Sequence, residues 1–289
     1  MLISVIIPIG NLARDIQNIE NIIHETQKDF IELIFILDTD ENLADLQLIN
    51  LCHEKGLENY QIIKSEGRNP GTSRNQGVLV SKSEWLVFCD SDDLPNVSNI
   101  ASEIANCGSN IDIVIGTFET QDLSQKNIGQ SSFHQNLNLC WYSIALDPGL
   151  WRWVVRRSFA NNIKFPELSM GEDQCYIAKL LQNNPEVFFS HKIFYRYRIG
   201  NRESLVGSKL KIVDLIEILR IELSLENYPK RYNNLKNFMV VRQLITLLKH
   251  GNTAYRSQTA ELLFKFISTL SPRDYFLALR FILRVLKVR

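Results

Sequence analysis

Strand-like and helix-like segments alternate near the start of this chain, and this alternation constrains its fold more than any other feature. Apolar runs rich in β-branched residues occupy positions 3–9, 31–37 and 60–64. The first gap carries isoleucines at helical spacing, and the second is helical over about 42–55. Because strand–helix–strand units join parallel strands by right-handed crossovers, the pattern predicts an α/β fold with a parallel sheet.

The next apolar run ends in a cluster of carboxylates. Residues 85–89 are of strand length and are followed by Asp90, Ser91, Asp92 and Asp93. Ligands of open α/β sheets bind beyond the carboxyl ends of such buried strands. Asp90 and Asp92 supply the hard oxygen ligands that Mg²⁺ and Mn²⁺ prefer, often together with substrate phosphates. The alternative is a solvated turn, in which Asp and Ser are common.

A loop containing Pro70 and Gly71 precedes that strand and leads into a helix. Thr72 or Ser73 can cap this helix, and Arg74 lies in its first turn. A helix N-terminus with a nearby Arg can hold a phosphate, whereas the alternative is an ordinary capped helix with a solvated Arg. Since the helix leads directly into the acidic strand, we expect the anion site and the metal site to share one crevice.

Three further candidates lie in the second half of the chain. Glu172 and Asp173 begin a helix; a general base is one interpretation, and carboxylates favoured by the helix dipole are the other. Trp151 can stack on a sugar ring, or it can lead into a core strand at 153–155. Arg198 is the first choice among the arginines of 194–205 to bind a diphosphate, and solvated arginines on an edge strand are the alternative.

Taken together, these segments resemble the family 2 glycosyltransferases, which have the GT-A fold. The resemblance covers about residues 1–205 and is carried, in this order, by SVIIP, FILDTD, PGTSRNQG, EWLVFCDSDD, IKFPELSMGEDQCY and RYRIGNRESL. The most similar subgroup acts on bacterial surface glycans. The resemblance implies an α/β fold with a GT-A (Rossmann-like) mixed sheet flanked by helices, followed by a C-terminal α-helical extension.

The resemblance also implies a role for each candidate residue. Those that it assigns to nucleotide-sugar binding are Pro8, Asp38, Thr39, Arg74, Asp90, Ser91 and Arg198. Asp92, together with Asp90, would hold a Mn²⁺ or Mg²⁺ ion. Asp173 would be the catalytic base and Glu172 would orient the acceptor, although the two roles are exchangeable. Trp151 would contact the acceptor.

The implied activity is the metal-dependent, inverting transfer of a sugar from a nucleotide-diphosphate sugar to a hydroxyl group. A UDP-sugar is the first candidate donor, and a surface glycan or lipid-linked oligosaccharide is the acceptor. Two alternatives stay open: a nucleotidyltransferase, and a non-catalytic glycan-binding or scaffolding relative. Thr39 is the warning sign for the second, because it stands where the family usually has an Asp that often reads uracil.

We expect residues 1–205 to form the transferase domain, with a nucleotide-sugar half at 1–100 and an acceptor half at 101–205. Residues 206–289 are then a basic helical extension, with a net charge of +9 against −9 for residues 1–204. Its last predicted helix, about 273–288, carries a narrow stripe of basic residues on an otherwise apolar sequence, namely Arg273, Arg280, Arg284 and Lys287. This pattern predicts peripheral contact with an anionic membrane, or packing against the domain or a partner subunit.

The cysteines and the apolar runs bear on location. The five cysteines are widely spaced and no pair has zinc-ligand spacing, which favours reduced, buried thiols and a cytoplasmic protein, at the inner face of the membrane if the last helix binds there. The N-terminal apolar run is too short for a signal sequence, and no run reaches the ~18 residues of a spanning helix. No nucleic-acid partner is expected.

Overall fold

The structure is a computed structural model that describes residues 2–40, 42–67, 69–122, 126–133, 137–199, 211–251 and 253–287. The chain divides into two compact units, each discontinuous in sequence. Unit 1 comprises Met1–Phe133, Leu150–Glu167 and Pro185–Arg202. Unit 2 comprises His134–Gly149, Leu168–Asn184 and Glu203–Arg289. The functional division at residue 205 that we expect from the sequence stays a prediction.

Unit 1 contains the sheet. Its strands are β1 Ile3–Ile9, β2 Ile31–Leu37, β3 Tyr60–Lys64, β4 Trp85–Phe88, β5 Leu94–Pro95, β6 Ile113–Gln121, β7 Asn127–Gln130, β8 Trp153–Arg156 and β9 Val187–Arg198. Its helices are α1 Leu12–Thr26, α2 Ala44–Glu54, α3 Pro70–Val80, α4 Val97–Asn106 and α6 Arg157–Ala160, with a 3₁₀ turn at Leu150–Arg152.

The strand order is β3-β2-β1-β4-β8-β6-β9-β5, and β7 pairs with β6. The first four strands in this order are parallel, β8 runs antiparallel to both of its neighbours, and β9 is parallel to β6 but antiparallel to β5. The predicted mixed α/β sheet is therefore confirmed. Because β1, β2 and β4 are parallel neighbours, their carboxyl ends meet at one edge, where ligands of such sheets bind.

The sheet core explains why these strands form where the sequence predicts them. Every residue of β2 and β4 is buried, as is every residue of β1 except Pro8, which is partly buried. Each fully buried large aliphatic side chain contributes about 1.5–3 kcal/mol relative to an exposed one. Helix α3 packs closely on this core at Gly77, where an added Cβ would lie 2.3 Å from Cγ2 of Ile6.

Unit 2 is helical within the described residues. Its helices are α5 Leu137–Leu146, α7 Glu172–Gln182, α8 Ile212–Ser224, α9 Asn233–His250, α10 Arg256–Thr269 and α11 Pro272–Lys287, with 3₁₀ turns at Lys230–Tyr232 and Thr253–Tyr255. The ring of Phe238 on α9 stacks on Phe281 of α11 at 4.7 Å and meets Tyr142 of α5 edge-on. The predicted C-terminal helical extension is thus present as α8–α11. Among the described residues, no helix is both long enough and apolar enough to cross a bilayer.

Candidate functional site

The acidic turn, residues Asp90–Asp93, follows β4 and is held in place by α1. The side-chain amide of Asn18 donates hydrogen bonds to the backbone oxygens of Ser91 and Asp93, both at 2.8 Å. The hydroxyl of Ser91 donates to Oδ2 of Asp15 at 2.6 Å. Asp15 and Asn18 interrupt the isoleucine-rich face of α1 and are buried there. Polar residues at these positions of an apolar helix face are a sequence signal for such contacts, and sequence reasoning missed it.

Carboxylates are crowded at this turn. Asp15 is buried and is paired with Arg14, whose Nε lies 2.6 Å from Oδ1 of Asp15. Burial first, and then repulsion by the carboxylates of Asp90 and Asp15, raises the pKa of Asp92 to about 6. A divalent cation would relieve such repulsion, and the hard oxygen donors suit Mn²⁺ or Mg²⁺. The donor set therefore fits the predicted metal, although the described residues contain no preformed group of three or more metal-ligating side chains.

Arg74 is buried beside the acidic turn. Its Nη2 donates to Oδ1 of Asp90 at 2.7 Å, and its guanidinium lies 5.8 Å from the ring centroid of Phe165. The predicted cap of its helix was wrong: the N-cap is Asn69, whose side chain accepts from the amide of Thr72 at 2.8 Å. Pro70 then occupies the first helical position, where its fixed φ and missing N–H are tolerated.

The ends of β1 and β2 complete this edge of the sheet. Pro8 lies opposite Ile36 in the register of the two strands, and the amide of Asp38 donates to the carbonyl of Ile9 at 2.8 Å. The hydroxyl of Ser73, in the first turn of α3, donates to Oδ2 of Asp38 at 3.3 Å. Thr39 follows and is partly buried. The residues assigned to the nucleotide sugar at 8, 38, 39, 74, 90 and 91 therefore come from three adjacent strand ends and one helix N-terminus of unit 1.

Strand β9 contributes two residues that contact the acidic turn: Arg198, which the sequence singled out, and Tyr195, which it did not. Arg198 is the last residue of β9; its amide donates to Oδ1 of Asp93 at 2.7 Å and its guanidinium contacts Oδ1 of Asn18. Tyr195, not predicted, accepts a hydrogen bond from the amide of Asp90 at 3.0 Å. Burial, and then repulsion by Asp90 and Asp92, holds the pKa of Asp93 well above its usual range. Arg202 lies outside the described residues.

Trp151 is part of an aromatic cluster in unit 1. Its ring stacks on Tyr195 at 4.6 Å and on Tyr197 at 5.6 Å, and meets Phe118 edge-on at 4.6 Å. The buried guanidinium of Arg152 lies 5.2 Å from the centroid of Phe118. The core strand that we considered beside the acceptor role is present as β8. The contact of Trp151 with an acceptor stays a prediction.

The Glu172–Asp173 pair lies in unit 2, at the start of α7. Gly171 precedes it with a φ of +76°, and a Cβ there would lie 2.4 Å from Cδ1 of Ile218. A glycine is therefore required at this turn. Glu172 is buried, while Asp173 is partly buried and its Oδ1 accepts from the amide of Gln174 at 2.8 Å.

Known proteins resemble this chain in sequence. A sequence model described as "Glycosyl transferase family 2" matches residues 4–177, which include the acidic turn and the Glu172–Asp173 pair. The poly(ribitol-phosphate) beta-N-acetylglucosaminyltransferase TarP of Staphylococcus aureus is 26% identical over 209 residues, 68% of this chain and 62% of TarP. The match thus spans less than two thirds of that relative.

Solved structures resemble the chain in fold. S. aureus TarS 1–349, in complex with UDP-GlcNAc, matches with a TM-score of 0.73 at 20% identity, over 96% of this chain and 84% of that one. The mannosyltransferase PcManGT from Pyrobaculum calidifontis, in complex with GDP-Man and Mn²⁺, matches with a TM-score of 0.63 at 11% identity, over 98% and 80%. These likenesses concern the fold alone, and they agree with the GT-A architecture expected from the sequence.

Proposed function

This chain belongs to glycosyl transferase family 2, and from that premise we propose a specific reaction for it. It is a glycosyltransferase, and the reaction is the transfer of one sugar from a nucleotide-diphosphate sugar to a hydroxyl group of a bacterial surface glycan or lipid-linked oligosaccharide. One observation carries the proposal: Asp38, Arg74 and the acidic turn lie together at the carboxyl edge of β1, β2 and β4.

The donor site that we propose uses this edge. Asp38 and Thr39 contact the nucleotide base, Arg74 contacts the phosphates, and Asp90 lies near the ribose. Arg74 suits this task because its guanidinium is already held by Asp90 and Phe165, so little side-chain entropy is lost on binding. The relative TarS was solved with UDP-GlcNAc, which supports a UDP-sugar as the first donor to test.

A divalent ion completes this donor site. Asp92 and Asp90 would hold Mn²⁺ or Mg²⁺, which supplies charge stabilisation to the departing nucleotide diphosphate. Two observations support the ion: burial and the carboxylates of Asp90 and Asp15 disfavour the charged form of Asp92, and PcManGT was solved with Mn²⁺. Arg14 and Arg74 offset part of the negative charge, through ion pairs with Asp15 and Asp90 respectively.

Inversion at the anomeric carbon needs a base on the acceptor side. We assign this role to Asp173, which takes the proton of the acceptor hydroxyl as that oxygen attacks. Glu172 orients the acceptor or supports the first turn of α7. TarP is named a poly(ribitol-phosphate) beta-N-acetylglucosaminyltransferase, and this name supports a polyol-phosphate or similar surface polymer as the acceptor class.

A peripheral membrane location fits such an acceptor, and we propose that α11 provides it at the cytoplasmic face. Four large apolar side chains of α11 are exposed, namely Tyr275, Phe276, Leu279 and Leu283. Arg273 and Arg280 are exposed on the same helix. An apolar strip bordered by basic groups can lie in the interface of an anionic bilayer.

The experiment is a panel of UDP-, GDP-, CMP- and dTDP-sugars with purified protein and Mn²⁺. We expect one donor to raise the melting temperature by mass action and to be hydrolysed slowly with release of the nucleotide. Asp92→Ala should lower this hydrolysis by on the order of 10²-fold or more, because several kcal/mol of charge stabilisation are lost. Asp173→Asn should keep donor binding but lose transfer to an acceptor.

The exposed Asp29, at a loop of unit 1, offers a matched control. Asp29→Asn removes one carboxylate without touching the acidic turn and should leave binding and hydrolysis unchanged. If no nucleotide or nucleotide sugar shifts the melting temperature with or without metal, the non-catalytic alternative replaces this proposal.

A further inference from the structure

A carboxyl group lies fully buried in unit 2 beneath the helix that carries Asp173. Glu222, on α8, has no exposed surface. Its Oε1 accepts a hydrogen bond from Nε2 of Gln243, on α9, at 3.1 Å. The same Nε2 donates to Oε1 of Gln174 at 3.0 Å. Gln174 follows Asp173 in the first turn of α7, so one amide group links three helices at that turn.

Two buried oxygens of this cluster lack a hydrogen-bond partner among the described residues: Oε2 of Glu222 and Oε1 of Gln243. Leaving buried polar atoms unpaired is costly, at about 1–3 kcal/mol each. A proton on Oε2 of Glu222 supplies the donor that Oε1 of Gln243 lacks. The neutral carboxylic acid of Glu222 and the carboxamide of Gln243 can then make two hydrogen bonds, one in each direction. One proton thus satisfies both of the unpaired oxygens.

Charged and titratable groups face Glu222 from the neighbouring helices. They are Asp173 and Cys175 of α7, Lys236 of α9 and Tyr228 of the α8–α9 connection, with Lys265 of α10 beside Lys236. The ammonium group of Lys236 donates a hydrogen bond to the carbonyl of Leu225 at 2.9 Å. Burial, with a smaller contribution from Asp173, raises the pKa of Glu222 to about 8, although Gln243 and Lys236 act in the opposite direction.

We propose that Glu222 is a positioning residue: as a neutral acid it holds Gln243, and through it Gln174, and so fixes the turn that presents Asp173. This inference rests on the proposed function, in which Asp173 is the base. An ionised Glu222 has no proton to donate to Gln243 and places a second negative charge near Asp173. The first turn of α7 then loses the hydrogen-bonded link through Gln243, and Asp173 experiences additional negative charge.

The activity test compares Glu222→Gln and Glu222→Leu with wild type between pH 6 and 9.5. The glutamine side chain keeps one acceptor and one donor, so we expect Glu222→Gln to have the wild-type kcat at pH 7. Above pH 8 we expect the kcat of wild type to fall and that of Glu222→Gln to stay unchanged. The leucine removes both, and we expect kcat to drop by about tenfold or more at an unchanged KM for the donor, because the base is misplaced. Glu226→Gln, an exposed acid four residues further on, is the control and should follow wild type throughout.

A second test needs no turnover. The Glu222 carboxyl has its ordinary pKa of about 4.5 in the unfolded chain, and burial raises this pKa to about 8 in the folded protein. Between these two pH values the native state therefore binds one proton more than the unfolded state. The melting temperature of wild type relative to Glu222→Gln should therefore fall as the pH rises from 5 to 8, and level off above 8. If the melting temperatures of wild type and Glu222→Gln changed in parallel with pH, the proposal that Glu222 is a neutral acid in the folded protein would be wrong.

The two tests separate the possible failures. An inactive wild-type protein would remove the proposed function and the positioning role with it, while the melting curves would still decide the protonation of Glu222. An active protein in which Glu222→Leu keeps the wild-type kcat would overturn the positioning role alone. The same holds if Glu222→Gln loses activity above pH 8 in parallel with wild type.

Discussion

At the residue scale, Asn18 connects three parts of the candidate donor site, although the sequence did not single it out. Its amide nitrogen donates to two carbonyl oxygens of the acidic turn, and its amide oxygen accepts from Arg198. Three contacts at one buried side chain join α1, the turn after β4 and the end of β9. The position of the carboxylates of Asp90 and Asp92 therefore depends on hydrogen bonds from Asn18 to the backbone of their neighbours Ser91 and Asp93.

Replacing Asn18 by alanine should test this dependence. Asn18→Ala leaves the oxygens of Ser91 and Asp93 without their donor, and we expect a loss of about 1–3 kcal/mol in the free energy of unfolding, with weaker nucleotide-sugar binding. Urea denaturation and a thermal-shift titration measure the two effects. Gln17→Ala, one residue earlier and exposed, should change neither. Equal denaturation midpoints for the two variants would contradict this account of the turn.

At the scale of the element, α11 has apolar residues on two faces, and among its side chains up to residue 283, which the structure describes, one of these faces is buried and the other exposed. Ala278 and Phe281 are buried, with Phe281 stacked on Phe238. Phe276 and Leu279 are 59% and 44% exposed. A helix that only packs against its own unit would carry polar residues on this second face. The exposed face is the reason for proposing membrane contact through α11.

Flotation with liposomes measures that contact. We expect the full chain to float with vesicles containing anionic lipid, and less so at high salt, because each basic residue near the surface contributes about 1 kcal/mol. Phe276→Ser with Leu279→Ser should abolish flotation without disturbing the buried Phe281. This double variant is cleaner than a chain ending near Leu270, which would also remove Phe281. Val213→Ser, an exposed apolar residue of α8, is the control, and equal flotation of both variants would count against α11.

At the scale of the whole molecule, burial determines the chemistry of the cysteines. All five are free thiols, and Cys107 is the one that is only partly buried. Burial raises the pKa of Cys52 to about 11, and the pKa of Cys107 is also raised. Since the thiolate is the reactive form, these shifts slow reactions at neutral pH. The reduced, buried thiols expected from the sequence agree with this arrangement.

Thiol titration should reflect the same burial. With an aromatic disulfide reagent at pH 8, we expect at most one thiol of the native protein to react within minutes, and five after denaturation in urea. Cys107→Ser should remove the early reaction. Two or more fast thiols in the native protein would mean that unit 1 or unit 2 opens far more readily than its core packing indicates.

Consecutive residues were enough to predict β1–β4 and the acidic turn, because the length and composition of an apolar run are local properties. The same holds for the last helix of the C-terminal extension, which the sequence predicts over about 273–288 and which the structure has as α11, Pro272–Lys287. The order of motifs along the chain was also sufficient to predict the family and the GT-A fold. The capping residue of α3 was missed because Thr72, Ser73 and Asn69 all qualify chemically, and only the backbone conformation at Asn69 decides among them.

Contacts between distant residues became visible only in the folded chain. Asp93 meets the amide of Arg198 at a separation of 105 residues, and Asn18 meets the backbone of Ser91 at 73. These pairs depend on strand order and register, which cannot be predicted from any single segment. Hydrophobic patterning indicates which face of a strand is buried, but it does not indicate which strand is the neighbour. The link from Glu222 to Gln174 arises in the same way. The helices α7, α8 and α9 must pack together before the amide of Gln243 can donate hydrogen bonds to both residues.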